Sequence, residues 1–436
     1  MKRTLAACAL ALAMLARPAA AATDIDFFFP VPVQGKLSNE MQRLITAFNA
    51  SHPDINVTAV FAGSYDDTNL KTRAAIQAGR PPAVAIESAN FVREYVITND
   101  AIPLDDLIAK DGTTPAAFMD NFWPALRGNA MDGTHVYGVP FQNSTPILYY
   151  NEAAFREVGL DPDHPPTTWQ EWVDAAKKLT KRDGNTVTRY GLELVTTYDT
   201  LGWLVSALAM SNGGQYYNPG YGGEVYYNDP TTIGAVQFLD DLVHKFKVMP
   251  EGVTDPNAVG NAFFTGRAAM IVNSTGALSF VRENMKQPFR VAFVPRAMVN
   301  AVAIGGGSLI IPRGNSPERQ RAAWELIKYL TSPEVAGGWS RFTGYFAPNM
   351  HAYELPAMKE FMAKNPDAKV AIDQLAYARG WFATYNTVAV RKALEDQVQA
   401  VLSGRIKAPE AMANAQKAAD EILRPYVDRT ALKLPE

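Results

Sequence analysis

GVPFQNSTPILYYN, residues 138–151, is an apolar run broken in its middle by amides and hydroxyls, resumed as Ile147-Leu148-Tyr149-Tyr150 and closed by Asn151. A buried strand carries Ser144 and Thr145 in mid-run only where they find hydrogen-bond partners, because an unsatisfied buried hydroxyl costs about 1–3 kcal/mol. The run reads as a strand that crosses between two lobes and touches a ligand on the way. The plainer reading is an ordinary buried strand kinked at Pro146.

Upstream of this run the apolar residues Leu37, Met41, Leu44, Ile45 and Phe48 fall at helical spacing, and Pro53 stops the helix. Ile55, Val57, Ala59 and Phe61 alternate as a half-buried strand; a polar helix over about 67–78 and a short strand over 83–87 follow. Strand, helix, strand, helix, strand is the α/β pattern. Downstream, Thr168 with Glu171 forms a helix-capping signature. The stretch 211–229 is rich in Gly, Tyr and Asn and is expected to be irregular surface structure facing a ligand or partner. Two further strands end or begin in small polar residues: Met270-Ile271-Val272-Asn273-Ser274, and the run opened by Gly305-Gly306-Gly307. Three consecutive glycines before an apolar strand predict that the backbone is closely approached. Helices dominate from 317 to 330 and from about 388 to 426. With no internal repeat and no low-complexity linker, the chain is expected to pass between its lobes more than once by ordered segments.

The first 22 residues have the basic start, apolar core and small-residue end of a secretory signal peptide. Leu5-Ala6-Ala7-Cys8 resembles a lipoprotein processing box, but almost no apolar region precedes Cys8. Cleavage near Ala22 leaves about 414 residues, enough for two lobes, and removes the only cysteine. It also removes Lys2, Arg3 and Arg17, taking the formal charge from −3 to −6, spread without long runs of either sign. A periplasmic monomer is expected, with no nucleic-acid partner, since a basic face interleaved with aromatics is missing.

The five histidines are scattered and make no metal-ligand spacing, so no cofactor or metal is expected. Ser308 sits in GGGSL rather than a nucleophile elbow, and no candidate base accompanies it. An exported hydrolase therefore lacks its machinery, and a non-enzymatic binding role remains. The recurring set at strand ends is Tyr65, Glu87, Ser144, Thr145, Ser274, Gly306, Ser308 and Tyr345, with Trp203 in the irregular middle. Weakly charged donors and acceptors of this kind suit a polyol or a phosphate in a closing cleft.

PFQNSTPILYYN (140–151), VGLDPDHPPTTWQEW (158–172), FFTGRAAMIVNSTGAL (263–278), IGGGSL (304–309) and RFTGYFAPN (341–349) together resemble the periplasmic glycerol-3-phosphate-binding proteins of ABC importers, over essentially the whole mature chain. The resemblance implies an α/β, two-lobed clamshell that closes on a small phosphate ester and delivers it to a membrane permease. It implies a discontinuous lobe 1 over 23–140 and about 277–330, and a lobe 2 over about 141–276 and 331–436. Tyr65, Ser144, Ser274, Gly306 and Tyr345 would line the cleft, Trp203 would cover the ligand, and Arg391 would meet the phosphate with its planar fork. On that basis Arg391→Ala would abolish ligand binding with little effect on the unliganded melting temperature. The plainer reading of Arg391 is a helix-surface residue paired with Glu395 at i+4.

One departure concerns the family's acidic position, which aligns with Ala89; Glu87, on the same strand face, is the substitute expected to reach the ligand. An indole at 203 beside Tyr65 or Tyr345 also suits a quaternary ammonium, which makes glycerophosphocholine a ligand candidate beside glycerol-3-phosphate. The alternative cargo is an oligosaccharide stacked on Trp203 and the Tyr216, Tyr217 and Tyr221 group.

Overall fold

The computed structural model describes residues 22–31 and 36–431, so the expected signal peptide, with Cys8, lies outside the described residues except for Ala22. Two sheets organise the chain. The first has five strands in the order Ile55–Gly63, Thr23–Pro30, Val84–Ser88, Gly305–Ile310 and Gly138–Ser144. The opening three are parallel, joined by the helices Leu37–Ser51, which buries an apolar stripe, and Tyr65–Gln77, which buries Tyr65, Thr68, Asn69 and Thr72; the last two run antiparallel to their neighbours. Parallel neighbours need such crossover helices, and the 3.6-residue stripe from Leu37 to Phe48 supplies one. The second sheet has four strands, in the order Glu193–Leu194, Met270–Ser274, Pro146–Asn151 and Phe289–Ala292. Each sheet has its own core. Ile25, Phe27, Phe29, Phe48, Val84, Phe141 and Trp324 belong to one, and Leu148, Trp172, Leu194, Leu204, Leu208 and Val398 to the other.

The expected crossing strand is real, and the break falls at Thr145. Ser144 ends a strand of the first sheet and Pro146 opens a strand of the second. The chain returns between Ala292 and Gly305, and crosses again between Tyr345, in the first core, and Trp381, in the second. One buried side chain ties the three passages together. Gln374 Nε2 donates to Thr145 Oγ1 (2.9 Å) and to the Pro146 carbonyl (2.8 Å), and its Oε1 accepts from the Val294 N–H (3.2 Å). The hydroxyl in mid-strand is thus satisfied by protein rather than by ligand.

Packing places the lobe limits differently from the sequence expectation. Residues 277–304, expected in lobe 1, belong with lobe 2: Leu278, Val281 and Val291 pack under Ile147 and Tyr149, and Phe289–Ala292 pairs with Pro146–Asn151. Residues 331–345, expected in lobe 2, belong with lobe 1. There Trp339 of the helix Pro333–Thr343 lies 5.3 Å from the ring of Phe141. In both cases a large apolar side chain follows the core that can bury it.

Gln374→Ala leaves the Val294 N–H, the Thr145 hydroxyl and the Pro146 carbonyl short of a partner in a buried hinge. The expected loss is about 3 kcal/mol of unfolding free energy in urea titration, with the fold retained by circular dichroism; an unchanged midpoint contradicts the staple.

Candidate functional site

The strands Val84–Ser88 and Gly138–Ser144 end, and Gly305–Ile310 begins, on one edge of the first sheet, with Gly305 paired to Ser144 and Gly307 to Ser88. Ligands of open α/β sheets bind at such an edge. The second lobe closes over it, and between them lies a cavity of about 70 Å³. The first lobe contributes Tyr65, Ser88, Ser144, Gly305, Gly306 and Tyr345; the second contributes Asp199, Trp203, Asn273, Ser274 and Trp381 among others.

Each lobe presses an aromatic ring onto a glycine of the other. Trp203, on the helix Thr200–Ser211, donates its Nε1–H to the Ala303 carbonyl (3.0 Å) and lays its ring on Gly305, where a Cβ would fall 2.7 Å from the indole. Tyr345 in turn lies over Gly276, so closely that any Cβ there would collide with the phenol ring. The Gly305-Gly306-Gly307 prediction is thereby explained. The approaching groups are the site's own walls: Trp203 at Gly305, and the Gln142 carbonyl at Gly306, which also needs φ +74°.

The remaining walls are fixed by hydrogen bonds. Tyr65 begins the helix Tyr65–Gln77, held by a reciprocal cap between Ser64 and Asp67, and its hydroxyl accepts from Gln142 Nε2 (2.8 Å). Ser274 ends its strand and accepts the Gly276 N–H (3.0 Å). The hydroxyls of Ser144 and Tyr345 have no protein partner among the described residues, which leaves two donor-acceptor groups at the cavity wall.

Two expected site residues lie elsewhere. Glu87 is fully buried behind the wall, accepting from the Tyr95 hydroxyl (2.9 Å) with Asn69 nearby; alternation along the strand gives the cavity to Ser88 instead. Burial pushes its carboxyl up to about 7, against the pull of the Tyr95 hydroxyl. Arg391 also stands behind the wall, fully buried, with Asp199 and Trp381 between it and the cavity. Its guanidinium is taken by three carboxylates: Asp66 Oδ2 (2.6 Å), Asp199 Oδ1 (3.1 Å) and Glu395 Oε2 (3.4 Å). The i+4 pair with Glu395 exists, but in the interior rather than on a helix surface. Burial opposes the arginine's charge, and the three carboxylates outweigh it, holding its pKa above the usual range.

The cluster joins the lobes. Asp66 belongs to the first lobe, whereas Arg391 and Glu395 lie on the helix Thr387–Leu402 of the second. The same helix has no side-chain cap of its own; Glu94 of the first lobe accepts its Thr387 N–H (3.1 Å). A carboxylate at a helix N-terminus also meets the positive end of the helix dipole.

Sequence reasoning missed Ser88, Asp199, Asn273 and Trp381. Ser88 follows from strand alternation once Glu87 is known to face inward. Asp199 has no local signal, being set by a tertiary ion cluster. The stretch 211–229 is ordered, and its tyrosines pack away from the cavity: Tyr216 on Tyr227 and Phe382, Tyr217 on Phe382, Tyr221 on Tyr426. Among the described residues no cluster of His, Cys, Asp and Glu could hold a metal ion, and no helix is long and apolar enough to cross a membrane.

Two α/β lobes, joined by three chain passages and closed on a polar and aromatic cavity, define a clamshell binding protein. The chain belongs to the bacterial extracellular solute-binding protein family, whose model matches residues 43–404. It is 30% identical to the sn-glycerol-3-phosphate-binding periplasmic protein UgpB of Pectobacterium atrosepticum, over 98% of this chain and 97% of that one. Among solved structures it resembles UgpB from Mycobacterium tuberculosis in complex with glycerophosphocholine, at a TM-score of 0.81 and 25% identity over 93% of this chain and all of that one. A maltose-bound T. maritima protein shares the fold at a TM-score of 0.79 and 24% identity, over 92% of this chain and all of that one.

Arg391→Ala strands the buried Glu395 and the part-buried Asp66 and Asp199 without a cation. The unliganded protein is expected to lose about 3–5 kcal/mol in urea titration, contrary to the sequence-based expectation of an unchanged melting temperature; an unchanged midpoint would mean that the cluster is not formed in solution. A second prediction concerns pH. Glu87 ionises at its ordinary 4.5 when unfolded and near 7 when folded. The folded state therefore holds a proton that the unfolded state has released, and stability falls as pH rises through that window. Glu87→Gln removes the penalty while keeping an acceptor for Tyr95. Its melting temperature should exceed wild type at pH 8, with the gap closing toward pH 5; a gap independent of pH refutes the assignment.

Proposed function

We propose that the protein captures glycerol phosphate esters, sn-glycerol-3-phosphate or its diesters such as glycerophosphocholine, in the periplasm, and hands them without chemical change to the permease of an ABC importer. The observation that carries this reading is convergence. Tyr65, Ser144, Trp203, Ser274, Gly306 and Tyr345, singled out on sequence alone, meet around one small cavity from both lobes. In this reading the serine and tyrosine hydroxyls hold the ester oxygens, Gly306 lets the backbone approach, and Trp203 covers the ligand. The likeness to UgpB, full length in sequence and in structure, points to the same cargo. Export by a cleaved signal peptide and action as a monomer belong to the same proposal. Closure follows from contact with both lobes at once, since a ligand that touches both favours the state in which they meet.

The oligosaccharide alternative has weaker support. Its proposed stacking partners Tyr216, Tyr217 and Tyr221 are absent from the cavity wall.

Calorimetry of the purified protein against sn-glycerol-3-phosphate, glycerophosphocholine, maltose and tagatose discriminates the readings. Binding of at least one phosphate ester and neither sugar is expected; maltose binding without ester binding would overturn the proposal.

A further inference from the structure

Asp199 is the one charged side chain among the residues lining the cavity, and no lysine, arginine or histidine shares that wall. Its backbone is strained. At φ +70° and ψ −62° it centres a γ-turn closed by the Thr200 N–H donating to the Tyr198 carbonyl (3.0 Å), a conformation that L-residues enter only where the surroundings enforce it. Asp199 stands at the N-cap position of the helix Thr200–Ser211, yet its side chain accepts nothing from that helix. The Gly202 N–H is met by Glu395 instead, at 2.9 Å. The aspartate is therefore not spent on capping.

Its ion pairing is incomplete. Oδ1 is buried without a hydrogen-bond partner, as is the Nη1 of Arg391 3.1 Å away, so the pair is an ion contact lacking hydrogen-bond geometry. The same guanidinium also serves Asp66 and Glu395, leaving one cation among three carboxylates. A third of the Asp199 side chain remains exposed, at 33%, beside the cavity it lines. Tyr65, Trp203, Tyr345 and Trp381 complete that wall. Aromatic faces beside an under-compensated carboxylate make a receptor for an organic cation. The same carboxylate repels a doubly charged anion, whose charge no side chain at the wall offsets.

We infer that Asp199 is the specificity-determining residue of this site, selecting glycerol phosphodiesters whose second alcohol bears an ammonium group and disfavouring the dianionic monoester. The inference rests on the glycerol phosphate ester reading above and names the class of ester. The phosphate of such a diester carries a single charge and is met by neutral hydroxyls, while its cationic end offsets Asp199. Discrimination then comes from repulsion of the wrong ligand as much as from attraction of the right one.

The test is calorimetry at pH 7.5 with glycerophosphocholine, glycerophosphoglycerol, whose second alcohol is uncharged, and sn-glycerol-3-phosphate. Wild type should prefer glycerophosphocholine to glycerophosphoglycerol by about tenfold or more, and to the monoester by at least as much. Asp199→Asn keeps the volume and a residue tolerant of positive φ, and should bring the first ratio to within about threefold. A variant that retains the wild-type ratio, or weakens every ligand alike, overturns the role and leaves Asp199 as a support for Arg391. Should the variant fail to fold, the wild-type ratio decides, because no preference for the cationic ester overturns the inference by itself. Wild type that binds none of the three overturns the ester reading, whereas wild type that binds them equally overturns the inference about Asp199 alone.

Discussion

One arginine with three acids holds the two halves of this protein in register. Arg391 is fully buried and reaches Asp66 across the cleft while Asp199 and Glu395 hold it from its own side. Buried ion clusters contribute little net stability, since desolvation offsets most of the Coulombic gain, but removing one member is costly. What such a cluster supplies is selectivity among arrangements. In this closed geometry Asp66 meets its cation, and Glu94 reaches the N-terminus of the helix that carries Arg391.

Around that ionic latch the closing surfaces are fitted by rings and missing side chains. Trp203 needs Gly305, and Tyr345 needs Gly276; each pair spans the lobes. A methyl group at either glycine would hold the halves apart, because the nearest atoms belong to rings locked by their own packing rather than to flexible chain ends. The Gln374 staple works on a different part of the problem: it fixes the three passages at the back of the cleft, so that the front is free to move about them. Polar groups at the hinge are satisfied by protein, whereas hydroxyls at the cavity wall, those of Ser144 and Tyr345, are left for a guest. Partition of that kind distinguishes a binding cleft from a plain domain interface.

Much of this was legible in the order of residues. The break in GVPFQNSTPILYYN located the passage between lobes because hydroxyls in a buried strand demand partners, and periodicity located the helix from Leu37 and the strand from Ile55 of the first lobe. The triple glycine announced a close approach, although nothing near it in sequence named Trp203 or the Gln142 carbonyl as the approaching groups. The pairing of Arg391 with Glu395 could be read from helical spacing, but Asp66 is 325 residues away from Arg391. Without it, a guanidinium committed to carboxylates looks like one free to meet phosphate. Glu87 was misplaced because period-2 alternation fixes which residues share a face but not which face looks into the cleft. The lobe limits slipped for a similar reason: Trp339 and the strand Phe289–Ala292 choose their core by long-range packing, which local composition does not record.

Interlobe distance is the most direct measure of whether the Arg391 cluster governs closure. Spin labels at Leu70→Cys and Val253→Cys, exposed positions on opposite lobes at 70% and 53%, suit pulsed dipolar spectroscopy of protein expressed from Ala22 onward, because Cys8 is the sole native thiol of the sequence. In unliganded protein, Asp66→Asn should shift the distance distribution away from that of the unmutated pair, and glycerophosphocholine should return both to one narrow, shared distance. Superimposable distributions for the two proteins, with and without ligand, would contradict closure governed by that ion cluster.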